Sequence, residues 1–232
     1  MGKMIVLGDV EVQTVFKAVK NVHLSVHPPE GRVTLVAPLG TRPEVARAYA
    51  ISKLGWIRQQ QQFLQRQARE APRQFIERES QYVWGRRYLL RVVERESKAH
   101  VELGHKTLTL YVRPGADQSK RSEIMHTWHK SLLHVELPKL IAIWEKRLGV
   151  KVNTYYLQRM KTKWGSCNHN AGTIRLNTEL VKKPKDLLEY VVVHEVAHLL
   201  ERNHSDAFIR ILNKHFPGWK EARMVLNELP LG

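Results

Sequence analysis

One cysteine, Cys167, stands among 232 residues, so neither an intramolecular disulfide nor a thiolate cluster for zinc can form. Support must come from a packed core, any metal must be held by histidine and carboxylate, and the usage fits a reducing compartment. Long hydrophobic runs are also missing: no stretch approaches the roughly 18 apolar residues that span a bilayer. Residues 1–16 lack the charged start, apolar centre and small-residue cleavage site of a secretory signal. The chain therefore reads as cytoplasmic, with no membrane partner. Acidic residues are few, 22 Asp and Glu against 38 Lys and Arg, and the net charge of +16 favours anionic partners through long-range attraction. No internal repeat, low-complexity tract or Gly-x-x-x-x-Gly-Lys phosphate loop is found. What remains, with 43% hydrophobic residues, is the composition of a folded globular protein.

The first segment is β-rich. Val22, Leu24, Val26, Val33 and Leu35 alternate with polar residues around Pro28-Pro29-Glu30-Gly31, the pattern of a half-exposed hairpin. Thr41-Arg42-Pro43-Glu44 offers a helix start, and Val45, Ala46, Ala50, Leu54, Ile57 and Phe63 carry helical spacing as far as Pro72. Residues 81–112 alternate again and predict about three short antiparallel strands. From Ser119 to Leu148 there is no Gly and one Pro, Pro138, and apolar residues recur at steps of three and four, which predicts a long helix with a kink at the proline. A domain boundary falls at 115/116. Residues 154–177 read as strand, turn-rich loop, strand, and a broadly apolar helix follows Pro184.

That helix carries His194-Glu195-Val196-Ala197-His198. Residues four apart lie on one helical face, so both imidazoles can converge on one ion, with Glu195 beside them. After His198 about one more turn is available before Glu201-Arg202-Asn203 can reverse the chain and deliver His204 as a third nitrogen. Three imidazoles leave the fourth tetrahedral position open for water, the arrangement of a catalytic zinc site, and Glu195 is placed as general acid/base. One Zn2+ per chain is expected. Left without a metal, these polar groups in an apolar helix would each cost roughly 1–3 kcal/mol if unpaired.

Other signals are weaker. Trp164-Gly165-Ser166-Cys167 lies one strand before the helix, where an edge strand can add an extended peptide, which makes Trp164 and Ser166 candidate substrate residues. Arg159, Lys161 and Lys163 alternate and would share one face of a strand, with Arg159 and Lys163 as candidate contacts to substrate. Ser166 and Cys167 have no His-based activation of their own, although Cys167 can approach the metal. His126, His129 and His134 hold no common stripe, and the basic residues of the first helix region (Arg47, Lys53, Arg58, Arg66, Arg69, Arg73) are scattered around it. His215-Phe216-Pro217-Gly218-Trp219 closes the core behind the metal helix.

Residues 159–167, Ile174-Arg175-Leu176-Asn177, 190–198 and 203–208 together resemble the YgjP-like metallopeptidase family, and Trp56-Ile57 and Trp84-Gly85-Arg86-Arg87-Tyr88 extend the resemblance over nearly the whole chain. The family is similar to SprT-like and WLM peptidases, some of which act on proteins crosslinked to DNA. Glu201 stands where metzincins place Gly, and no Met-turn is found, so the chain departs from the metzincins. The resemblance implies an α+β fold: a β-rich N-terminal half with one helix over 1–115, and a zincin-like domain over 116–232 with a small sheet packed on the metal helix. It implies a zinc-dependent peptidase with His194, His198 and His204 as ligands. Two alternatives stand beside it: a metal-dependent UTP pyrophosphohydrolase, since some relatives carry that label, and a nucleic-acid-binding module with a structural metal. Protein or peptide is the expected partner, with DNA or nucleotide as a further one through the basic surface.

Overall fold

A computed structural model describes residues 3–27, 30–66 and 73–228. The chain divides into two compact units, Met1–Ala68 and Arg69–Gly232. No helix among the described residues is long and apolar enough to cross a membrane.

The first unit is one sheet and two helices. Strands β1 (Lys3–Leu7), β2 (Val10–Lys17), β3 (His23–His27) and β4 (Arg32–Pro38) lie in the order β1-β2-β4-β3. β3 and β4 form the expected antiparallel hairpin, with Leu24 opposite Leu35; its Pro28-Pro29 turn lies outside the described residues. β2 runs parallel to β4, placing Val12 beside Val33. The alternation buries Val10, Val12, Val33, Leu35 and Ala37 against Ala46, Ala50 and Ile57. The single expected helix is two, α1 (Pro43–Ser52) and α2 (Leu54–Arg66), because the chain turns at Lys53, whose N–H is shared between the Tyr49 and Ala50 carbonyls. Gly55, a weak helix former, follows within the first turn of α2. Arg69 and Pro72 lie outside the described residues, as do the side chains of Phe63 and Arg66.

In the second unit, β5 (Ser80–Val83), β6 (Arg86–Glu94), β7 (His100–Leu103) and β8 (Thr107–Val112) repeat the same topology in the order β5-β6-β8-β7. There are four strands rather than three, and β6 and β8 are parallel rather than antiparallel. The β7–β8 hairpin folds outward, so β7 becomes an edge and β8 returns alongside β6. The long helix α3 (Gln118–Leu148) runs through Pro138; Asp117 caps its start by accepting from the Lys120 N–H at 2.8 Å, and Gly149 ends it in the left-handed region.

α3 ties together the segments of the second compact unit. Its first half packs Met125 into the core of the β5–β8 sheet, while Leu133, Leu137, Ile141 and Trp144 belong to the core around the later helices. The β5–β6 turn also locks onto that part of the chain: Trp84 N–H donates to Val181 O at 2.8 Å, and a Cβ on Gly85 would stand 2.8 Å from the Pro184 ring.

The last sheet has the order β10-β11-β9, from β9 (Thr154–Gln158), β10 (Gly165–Asn168) and β11 (Thr173–Asn177). Gly165–Asn168, read from the sequence as part of a turn, is a strand, antiparallel to β11 through the tight 169–172 turn. A 3-10 turn (Thr178–Lys182) leads to α4 (Lys185–Ala197), followed by α5 (Asp206–His215) and α6 (Trp219–Glu228). Leu188, Val192 and Val196 of α4 are wholly buried with Ile174 and Leu176 of β11. Phe216 brings its ring to 6.0 Å from that of Trp144 and 6.2 Å from that of Tyr190, closing the core behind α4.

Candidate metal centre

α4 ends within the segment that carries the paired histidines. After Ala197 the chain tightens: the Leu199 and Leu200 N–H groups reach back only three residues, to Val196 O and Ala197 O, each at 3.0 Å. The polar stretch that follows leads to Ser205, whose hydroxyl accepts from Phe208 N–H at 3.4 Å and caps α5. His204 immediately precedes this cap, so the turn returns it to the helix that carries His194 and His198.

One nitrogen from each of His194, His198 and His204 lies within 4.8 Å of the others, the one such group of His, Cys, Asp or Glu among the described residues. His194 Nε2 and His204 Nε2 are 3.0 Å apart. His198 donates from Nδ1 to the Glu201 carbonyl at 3.0 Å, which fixes the ring and leaves Nε2 as the free donor of electrons. Phe208, 1% exposed, sits among all three rings, with centroids 5.0, 4.5 and 5.0 Å from those of His194, His198 and His204. Three convergent imidazoles without a thiolate or carboxylate among them fit a divalent first-row ion.

The electrostatics agree with that fit. Burial, then the neighbouring His198, His204 and Arg223, push His194 down to about 3. His204 is lowered by burial, then by His198 and Arg223. Both rings are therefore neutral at pH 7, with lone pairs available to a metal. Glu195, 5% exposed, is pushed by burial up to about 8, while the Lys163 ammonium pulls it down. Burial and then Glu195 raise the Cys167 thiol to about 11, so it is no nucleophile at neutral pH.

β10 runs beside this cluster. Gly165, Ser166 and Cys167 line a cavity of about 560 Å³ together with His194, Glu195 and His198. Gly165 is required by contact: a Cβ there would stand 2.5 Å from Glu195 Oε1. The loop before β10 is fixed by Asn177, wholly buried at the end of β11. Its Nδ2 donates to Met160 O and Lys163 O, each at 2.8 Å, and its Oδ1 accepts from the N–H of Met160 (3.3 Å) and of Glu179 (3.1 Å).

Among the residues expected to touch substrate, Ser166 and Lys163 line the larger cavity, and Trp164 with Lys163 lines a second one, of about 240 Å³. Arg159 turns instead to Glu179, 3.6 Å away. Strand β9 stops at Gln158, so Arg159, Lys161 and Lys163 lie on a loop and share no strand face. His134 donates to or accepts from Tyr155 OH at 2.9 Å, and His129 is buried; neither joins a metal cluster. Sequence reasoning missed Phe208 and the role of Asn177. Both stand inside the motifs quoted above, yet what they do depends on contacts to segments 10 to 17 residues away.

The sequence model of the YgjP-like, metallopeptidase domain family matches residues 20–229. No curated protein matches the chain. Partial likeness is found to solved structures, among them two metallopeptidase zymogens. The crystal structure of the metallopeptidase zymogen of Pyrococcus abyssi abylysin shares 26% identity at a TM-score of 0.36, over 38% of this chain and 90% of that one. The crystal structure of the metallopeptidase zymogen of Methanocaldococcus jannaschii jannalysin shares 23% identity at a TM-score of 0.35, over 39% of this chain and 93% of that one. The family match supports a metal-dependent hydrolase and gives no support to a DNA or nucleotide partner.

Proposed function

The chain belongs to the YgjP-like metallopeptidase family, and on that premise we propose that it is a zinc-dependent peptidase of zincin-like arrangement, with His194, His198 and His204 holding the ion and Glu195 as general acid/base. The observation that carries this reading is the convergence of three imidazole nitrogens within 4.8 Å beside a buried carboxylate. When bound by three protein ligands, zinc supplies Lewis acidity and a water whose pKa is lowered to about 7. Glu195 takes a proton from the attacking water on its carboxylate and returns it to the leaving amine, a task for which a pKa near the working pH is suited. β10 pairs only with β11 among the described residues, so its other edge, facing the larger cavity, offers backbone N–H and C=O groups to an extended peptide.

Two variants test the reading. Glu195→Gln protein should bind one zinc per chain and cleave no casein, and His194→Ala protein should lose the zinc. Casein cleavage that survives Glu195→Gln, or zinc content unchanged in His194→Ala, overturns it. Pyrophosphate release from UTP, with casein left intact, would instead favour the nucleotide alternative.

A further inference from the structure

The smaller cavity, about 240 Å³, lies on the α6 side of the histidine cluster, between the 162–165 loop, α4 and α6. It shares Glu195, His194 and His204 with the larger cavity. Trp164, Val191 and Leu226 give it apolar wall, and Arg223 of α6 gives it a guanidinium. Arg223 is exposed and makes no ion pair among the described residues, nor do Lys163 and Arg202, the other cations lining the two cavities. Glu195 is the one acidic residue lining either cavity, and it is buried. A cleft with three unpaired cations and one secluded carboxyl repels cationic side chains and attracts anionic ones. An apolar wall ending in a guanidinium matches one side chain type in particular: methylenes to pack, then a carboxylate to accept two parallel N–H donors.

We propose that Arg223 determines specificity by receiving a glutamate or aspartate side chain of the peptide in this side pocket, making acidic peptides the preferred substrate class. The inference rests on the peptidase reading above, and extended peptide is favoured over nucleic acid because Gly165, at the start of β10, lines the pocket and β10 pairs only with β11 among the described residues. Arg223 is exposed and has no ion-pair partner among the described residues, so its replacement should leave the fold intact.

The test reads binding, so it does not depend on turnover. Zinc-loaded Glu195→Gln protein is titrated with a fluorescein-labelled Ala/Gly octapeptide carrying a single Glu, and with its Gln and Lys counterparts. The Glu peptide should bind about tenfold tighter than the Gln peptide, the usual scale of a charge-assisted hydrogen bond. Adding Arg223→Gln should remove the difference, Arg223→Lys should keep part of it, and Arg223→Glu should transfer the preference to the Lys peptide. Equal binding of Glu and Gln peptides, or a preference that survives Arg223→Gln, overturns the proposal, as does displacement of the Glu peptide by single-stranded DNA at lower concentration than by unlabelled peptide. A wild-type protein that cleaves no peptide defeats the peptidase reading instead, a result visible without Arg223 variants.

Discussion

Gly165 and Glu195 touch through a position where no side chain fits: a Cβ on the glycine would lie 2.5 Å from Oε1, 2.7 Å from Cγ and 2.8 Å from Cδ of the glutamate. The strand that borders the cleft and the proposed acid/base are thus one packing unit. The clash involves Cγ and Cδ of Glu195 as well as Oε1, so Gly165→Ala must move either the carboxylate or β10. A displacement of about 1 Å at a reacting group can cost roughly 100-fold in rate. Gly165→Ala is expected to lower kcat for peptide cleavage on that scale while zinc per chain, measured by atomic absorption, stays unchanged. Full activity in this variant would show that the contact does not position Glu195.

The sequence made the histidine cluster legible because a helix converts a spacing of four into one face, and His194 and His198 need no tertiary information to converge. His204 was legible for a related reason: the turn that returns it is short and local. β10 was not. Gly165, Ser166 and Asn168 read as turn residues, and they form a strand only because β11 supplies a partner with its own clear alternation at Ile174 and Leu176. The parallel pairing of β6 with β8 escaped for the same reason, since alternation tells which residues face the core and nothing about which strand lies alongside. Arg223 and Phe208 reach the site through the packing of α5 and α6, which no local pattern encodes.

Asn177 is the second point at which one side chain supports the cleft. Its amide satisfies two loop carbonyls and two backbone N–H groups from a wholly buried position. Asn177→Ala strands these groups and should cost about 2–4 kcal/mol in urea unfolding, with a further loss of kcat as Lys163 to Gly165 loosen. Asn177→Asp is expected to be no better, because it sets a carboxylate oxygen against the Met160 and Lys163 carbonyls in place of a donor. Stability within about 0.5 kcal/mol of wild type for either variant would contradict this account.

Phe208 holds the three imidazoles by their faces and edges rather than by hydrogen bonds. Phe208→Ala empties a fully buried site and should destabilise the protein by about 3–5 kcal/mol. Its second effect is on the metal: with the rings freed, zinc affinity should fall about tenfold or more, read by competition with a chromogenic chelator at a temperature where the variant is still folded. Phe208→Leu retains most of the volume and should recover stability before it recovers affinity.

His194 links the fold to pH. Its folded value of about 3 lies below the ordinary 6.5, chiefly through burial, and its Nδ1 has no hydrogen-bond partner to stabilise an added proton. Below pH 6.5 the unfolded chain takes up a proton at this residue that the folded chain refuses, so the contribution to stability is complete above 6.5. It is lost progressively as the pH falls toward 3, by at most about 1.4 kcal/mol per pH unit. For chelator-treated protein, thermal unfolding should therefore move to lower temperature on acidification from pH 6.5 to 4.5, and His194→Gln should flatten that slope. Saturating zinc adds its own stabilisation, about 2.7 kcal/mol at a hundred times the dissociation constant. Because the folded His194 ring refuses a proton until the pH nears 3, proton competition at this residue should leave that increment unchanged between pH 6.5 and 4.5. A zinc-induced shift in melting temperature that survives His194→Gln undiminished would mean that the ion is held elsewhere.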